Sequence, residues 1–301
     1  MTPRITIATL ALLIGGLLSW LMVDRPTSPK APAPKKVARQ SQDPFVPGDP
    51  SSTRKLEAPS DRDPDFDPNA IPNERLVFFD NEQAYRDFLA RLGNSPVRNL
   101  GTIKALRAVR IGFDRLGDFR DLGLDPDNVD FNYPVSIPET REVPPQEGVV
   151  GFGGNALAFL GITTDNSQWG RGVKIAVIDT GIAPHLALTG NITHINLVEL
   201  PEGIAPHSHG TSVASLIAGS HPNMRGVAPA ADLISVRVAD ETGSSNSALL
   251  AEGIIAATDA GAQLINISMG SDGDSILVRQ AVDYARENGA LIFASSGNEG
   301  T

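Results

Sequence analysis

Three polar residues stand at the ends of apolar runs in the C-terminal half of the chain. Asp179 closes VKIAVID, His209 opens HGTSVASLIAGS, and Asn298 follows LIFASSG. A carboxylate that meets an imidazole fixes its tautomer and stabilises its protonated form, which equips the histidine to move protons. An asparagine amide can donate to a developing oxyanion. Together these are the polar groups of acyl transfer, with no nucleophile yet assigned. Each also has a plainer reading. Asp179 could cap a turn before Gly181, Asn298 could be a turn residue in a Gly-Asn-Glu-Gly loop, and His209 could join His207 and Asp179 as metal ligands. His185, His194 and His221 read as ordinary loop histidines.

The elements that must position these groups follow a regular order. From Gly172 onward VKIAVID, DLISVRV, QLINISMG and LIFASS read as strands, separated by helices in GTSVASLIAGS, SALLAEGIIAATDAG and SILVRQAVDYARENG. That alternation predicts an α/β fold, a doubly wound parallel sheet with helices on both faces and functional groups at the carboxyl ends of its strands. Residues 74–136 have a different texture. RLVFF suggests a strand, Asp80 or Asn81 a cap for a helix through NEQAYRDFLARLG, and Tyr85, Phe88, Leu89 and Leu92 its apolar face. Strands around Ala105, Val109 and Ile111, a short helix over Leu116–Leu122 and a closing strand NVDFNYPV complete a small α+β module of ferredoxin-like type. Such a module specifies no function by itself. A proline-rich link over 137–155 joins the two units.

At the N-terminus, Ile5 to Val23 carries no charge and would span about 28 Å as a helix, the thickness of a bilayer core. Residues 1–24 therefore read as a transmembrane anchor rather than a signal segment, whose apolar stretch is shorter and is closed by a small-residue cleavage site. Arg25, Lys30, Lys35, Lys36 and Arg39 come after the span and, taken alone, would hold the rest of the chain in the cytoplasm. Residues 25–73 are rich in Pro, Ser, Lys and Asp and read as a disordered tether.

Composition narrows the classes of function. The net charge of −10 and pI near 5.0 disfavour nucleic acid as a partner. The absence of cysteine excludes disulfides, a thiol nucleophile and cysteine zinc sites. With 41% hydrophobic residues, the chain can bury a sizeable core.

The segments VIDTGI, HGTSVASLIAG, NISMG and SSGNEGT, in that order, resemble the aspartate, histidine, substrate-strand and oxyanion motifs of the subtilisin family of serine peptidases. The resemblance covers about 156–301, the N-terminal part of such a peptidase domain, and 74–136 is similar to the inhibitory propeptide that precedes many of these enzymes. It implies that Asp179 orients His209, that His209 serves a serine as general base, and that Asn298 supplies an oxyanion donor. Ser268, Met269 and Gly270 would pair with the substrate backbone. Proteins or peptides are then the substrates and the propeptide an intramolecular partner.

Gly210-Thr211-Ser212-Val213-Ala214 looks like the family's serine segment, but it belongs to the histidine motif. The nucleophilic serine is therefore absent from the chain, and the expectation is a precursor truncated before it and inactive on peptides. The alternative is a non-catalytic pseudopeptidase or a tethered inhibitor. The sequence points to no certain cofactor. Calcium is possible as a structural ion, although GSHPNMR is short for a loop that often holds it. The zymogen arrangement favours a membrane-anchored protein facing the periplasm or cell surface, or a secreted one if the N-terminal segment is cleaved.

Overall fold

The computed structural model describes residues 67–138 and 156–295. The anchor segment 1–24, most of the tether, Asn298 and most of the link lie outside those residues. Among the described residues no helix is long and apolar enough to cross a membrane.

The first unit contains β1 (Glu74–Phe78), α1 (Glu82–Leu92), β2 (Arg98–Ile103), β3 (Ala108–Gly112), α2 (Leu116–Arg120) and β4 (Val129–Phe131). Its strands form an antiparallel sheet in the order β2-β3-β1-β4. Asn81 begins α1 by accepting from the Ala84 amide at 2.9 Å, so the second of the two cap candidates is the one used. Alternate residues of each strand face opposite ways. Val77, Val109 and Ile111 therefore pack with Tyr85, Phe88 and Leu92 of α1, while Leu76, Phe78 and Ala108 turn to the second unit.

NVDFNYPV is not one strand. It is interrupted at Asn132 and Tyr133, and Pro134–Ser136 forms a separate strand, β5, that pairs outside the sheet. The cause is the side chain of Asn132, which donates to Glu74 at 2.7 Å and accepts from Ser247 Oγ and the Ala248 amide. That binds it to the second unit rather than to a sheet edge. Residues at the end of the tether are also held, since the Tyr133 hydroxyl donates to Asp67 and the Ile71 amide to the Asn132 carbonyl.

The second unit opens with α3 (Ala156–Phe159), β6 (Lys174–Asp179), β7 (Ile192–Asn196) and α4 (Ser208–Ala218). A hairpin of β8 (Ser220–His221) and β9 (Met224–Arg225) leads to β10 (Asp232–Arg237) and β11 (Ser244–Asn246). The rest comprises α5 (Ser247–Asp259), β12 (Leu264–Ile267), α6 (Ile276–Glu287) and β13 (Leu291–Ala294). Five strands form a parallel sheet, β13-β12-β6-β10-β7. Strand periodicity divides its core: Ile175, Val177 and Leu233 pack against Val213 and Ile217 of α4, and Ala176, Ile178 and Val236 against α5 and α6. Helices thus cover both faces, as expected for a parallel sheet buried on both sides. His194 lies on β7 and His221 on β8, so these two are strand residues and not loop residues.

The first unit caps two helices of the second. Asn132 accepts at the start of α5, and Asp130 Oδ2 accepts from the Ile276 amide at 2.7 Å at the start of α6, where amides lack partners within the helix. Beside these caps a cavity of about 30 Å³ is lined by Leu76, Leu100, Arg110, Leu249, Glu252 and Leu277. Burial pushes the Glu252 carboxyl above its ordinary range.

Asn132→Ala removes the acceptor at the α5 terminus and is expected to cost about 1–2 kcal/mol, read as a lower urea midpoint. Glu252 is harder to ionise when folded, so its carboxyl favours folding at low pH and opposes it once ionised. Glu252→Gln is expected to raise the urea midpoint at pH 7, with the gain vanishing as the pH falls through the carboxyl's titration.

Candidate active site

The sequence VKIAVID forms the central strand β6, and its last residue, Asp179, is fully buried. A buried carboxylate needs donors. It accepts from the Thr180 amide at 2.7 Å, and His209 Nδ1 lies 2.8 Å from Oδ1 and 2.9 Å from Oδ2. An ionised carboxylate only accepts, so Nδ1 carries the proton and Nε2 keeps its lone pair. The His209 side chain retains 13% exposure, enough for its outer edge to meet another molecule. The two residues expected to form a pair are therefore in contact, joined across 30 positions of sequence.

Glycine makes the approach possible. A Cβ on Gly210 would stand 2.4 Å from the Gly181 carbonyl oxygen, closer than real Cβ atoms come, and 3.1 Å from Asp179 Oδ1. Gly181 itself has φ +91°, a conformation that side chains rarely tolerate.

Thr180 is a site residue that sequence reasoning missed. Its buried hydroxyl donates to the His207 carbonyl at 2.8 Å and accepts from the Gly210 amide at 3.0 Å, clasping the chain on both sides of His209. The only signal available was its place in Asp-Thr-Gly. His207 Nδ1 accepts from the His209 amide at 3.2 Å and caps α4. Among the described residues no group of three or more His, Asp or Glu side chains is placed to hold a metal ion. Calcium remains an expectation carried by resemblance alone.

Ser212 lies on α4, one turn beyond the helix start, and its hydroxyl donates back to the Ser208 carbonyl at 3.0 Å. Among the described residues no hydroxyl bonds to His209 Nε2.

Ser268, Met269 and Gly270 come directly after β12. Ser268 accepts from Asn266 Nδ2 at 2.9 Å, and the Ser295 hydroxyl donates to the Met269 carbonyl. Gly270 exchanges two backbone hydrogen bonds with Ser136, at 2.9 and 3.0 Å. On its other edge β5 pairs antiparallel with β11, where Ser136 faces Ser244, and the Ile137 amide donates to the Gly243 carbonyl at 3.1 Å. An extended segment of the chain's own N-terminal unit thus lies as a strand between Ser244–Asn246 and Gly270. Ile137, at the start of the sequence's link region, belongs to this ladder.

A buried Asp–His pair thus stands at the carboxyl edge of a parallel sheet, and in the same unit a strand from the N-terminal unit pairs with β11 and Gly270. Residues 170–301 match the model of the subtilase family, Peptidase S8. It is 38% identical over 135 residues to Subtilisin Savinase of Lederbergia lenta, covering 44% of this chain and 49% of that protein. It is 34% identical over 137 residues to thermitase of Thermoactinomyces vulgaris, again covering 44% and 49%. With the minor extracellular protease Epr of Bacillus subtilis the identity is 35% over 135 residues, and 21% of that protein is covered. The match thus spans half or less of the length of these relatives. Among solved structures, fervidolysin from Fervidobacterium pennivorans, a keratinolytic enzyme related to subtilisin, aligns with a TM-score of 0.62 at 24% identity. That alignment covers 78% of this chain and 41% of fervidolysin, and it is a likeness of fold.

Thr180→Val is expected to leave the His207 carbonyl and Gly210 amide unpaired and to cost about 1–3 kcal/mol in urea unfolding. Thr180→Ser, which keeps the hydroxyl, is expected to restore most of it.

Proposed function

We propose that the second unit supplies the acid–base half of a subtilisin-like serine endopeptidase and that residues 74–136 serve as its intramolecular propeptide. The observation that carries this reading is the 2.8 Å contact between His209 Nδ1 and Asp179, which presents Nε2 as a base. Asp179 holds the tautomer and stabilises the imidazolium. His209 takes the proton of a serine hydroxyl as its oxygen attacks the scissile carbonyl, then returns that proton to the leaving amine. Asn298, outside the described residues, would donate to the oxyanion. A donor of this kind was worth about 3 kcal/mol in a subtilisin, and that magnitude is borrowed from there.

Substrate enters as an added strand beside Ser268-Met269-Gly270. The segment Pro134–Ser136 supports that path, since it lies there with main-chain bonds on both edges. It also favours the module as an inhibitor of its own domain over an inhibitor of another peptidase. The apolar run of residues 1–24 would tether the unit to a membrane on the extracytoplasmic side, and protein or peptide substrates would be met there. Calcium is retained as a possible structural ion.

The reading assigns the nucleophile to a serine in a Gly-Thr-Ser-Met-Ala type segment, which residues 1–301 do not contain. Residues 1–301 expressed by themselves are therefore expected to leave casein intact, to keep their N-terminal module and to take up no serine-directed phosphonate. Casein cleavage that the phosphonate abolishes would overturn the assignment. In a form carrying the serine segment, Asp179→Ala and His209→Ala are each expected to lower kcat by about 10⁴-fold or more.

A further inference from the structure

The wall of the cleft formed by β11 is itself held from behind by one carboxylate. Asp240 Oδ1 accepts three hydrogen bonds, from the Thr242 amide at 2.9 Å, the Thr242 hydroxyl at 2.7 Å and the Ser244 amide at 3.0 Å. The main chain closes the same turn twice, the Asp240 amide donating to the Ser244 carbonyl and the Gly243 amide to the Asp240 carbonyl. The Ser244 hydroxyl reaches Thr242 Oγ1 at 2.9 Å, so a chain of hydroxyls runs along the turn to the carboxylate. Burial pushes the Asp240 carboxyl up, but these bonds together hold it below its ordinary range.

The turn presents the peptide-facing edge. The Gly243 carbonyl takes the Ile137 amide, and Ser244, Ser245 and Asn246 face Ser136, Val135 and Pro134. Gly243 adopts φ +84°, and a Cβ there would stand 2.5 Å from Ile137 Cδ1. The turn must therefore hold a glycine at positive φ so that its carbonyl points at the paired strand while the Ile137 side chain passes over its α-carbon. Among the described side chains of residues 240–244, Asp240 is the one that accepts from main-chain amides of the turn.

We propose that Asp240 is a positioning residue for peptide capture: it sets the turn that aims the Gly243 carbonyl and the β11 edge at an extended peptide, without touching that peptide. The proposal rests on the reading that this cleft receives peptides as added strands. It predicts that loss of Asp240 weakens capture while leaving the Asp179–His209 pair intact, which in an active form raises KM with kcat unchanged.

The test uses the full chain and reads the captured segment directly, by residue-resolved hydrogen exchange. Asp240→Ala is expected to speed exchange of the Ile137 amide about tenfold, the loss expected for a charge-assisted hydrogen bond, with Ile175–Ile178 of β6 unchanged. Asp240→Asn keeps an acceptor oxygen at the same place and is expected to stay within about twofold of the parent by the same argument. Unchanged exchange at Ile137 in Asp240→Ala would overturn the proposal. Equal acceleration at Ile137 and throughout β6 would overturn it too, by making Asp240 a residue of general stability. Because no catalysis is read, failure of the peptidase assignment in the phosphonate test would leave this outcome interpretable, and the reverse holds.

Discussion

A carboxylate buried without exposure at the end of a central strand constrains everything around it. Asp179 is tolerable in the interior only because the Thr180 amide and the His209 ring donate to it. The first donor is the next residue, but the second lies 30 positions away, so α4 has to begin against the end of β6. That closeness excludes any side chain at Gly210 and draws Thr180 into a clasp on the histidine's flanks. The imidazole is consequently fixed by its surroundings in the tautomer that leaves Nε2 as a base.

The second organising constraint is the two-sidedness of strands. In β6 odd and even positions feed separate cores beneath α4 and beneath α5 and α6, and in β1 and β3 they divide between α1 and the neighbouring unit. The N-terminal module is thereby committed to the second unit through a full apolar face, two helix caps and a strand that passes along the cleft. One continuous stretch, Val129 to Ile137, carries much of this docking: Asp130 and Asn132 serve the helices, Val135 enters the shared core and Ser136 pairs with Gly270.

Much of this was legible in the chain. The strands β6, β10, β12 and β13 are mostly apolar runs of strand length, and amphipathic helices alternate with them, so the sheet could be read. So could Asp179 and His209, because strand ends in such sheets are where functional groups gather. β7 escaped notice because ITHIN lies at the sheet edge with Thr193, His194 and Asn196 exposed and no position buried, which leaves a weak pattern. The break at Asn132 was invisible because its side-chain partners lie 58 to 116 positions away. Thr180 and Asp240 looked like turn residues, and both are; the groups they position depend on neighbours that only the fold brings together. Asn298 was legible as a motif residue and lies outside the described residues.

The central claim is that Asp179 holds the His209 ring with its proton on Nδ1. Proton NMR of the full chain, titrated across the imidazole range, tests this most directly. The account expects a strongly low-field Nδ1 proton on His209 that disappears in Asp179→Ala and persists in Ser212→Ala. A His209 ring protonated on Nε2 in its neutral form, with no low-field Nδ1 proton even when Asp179 is present, would contradict it.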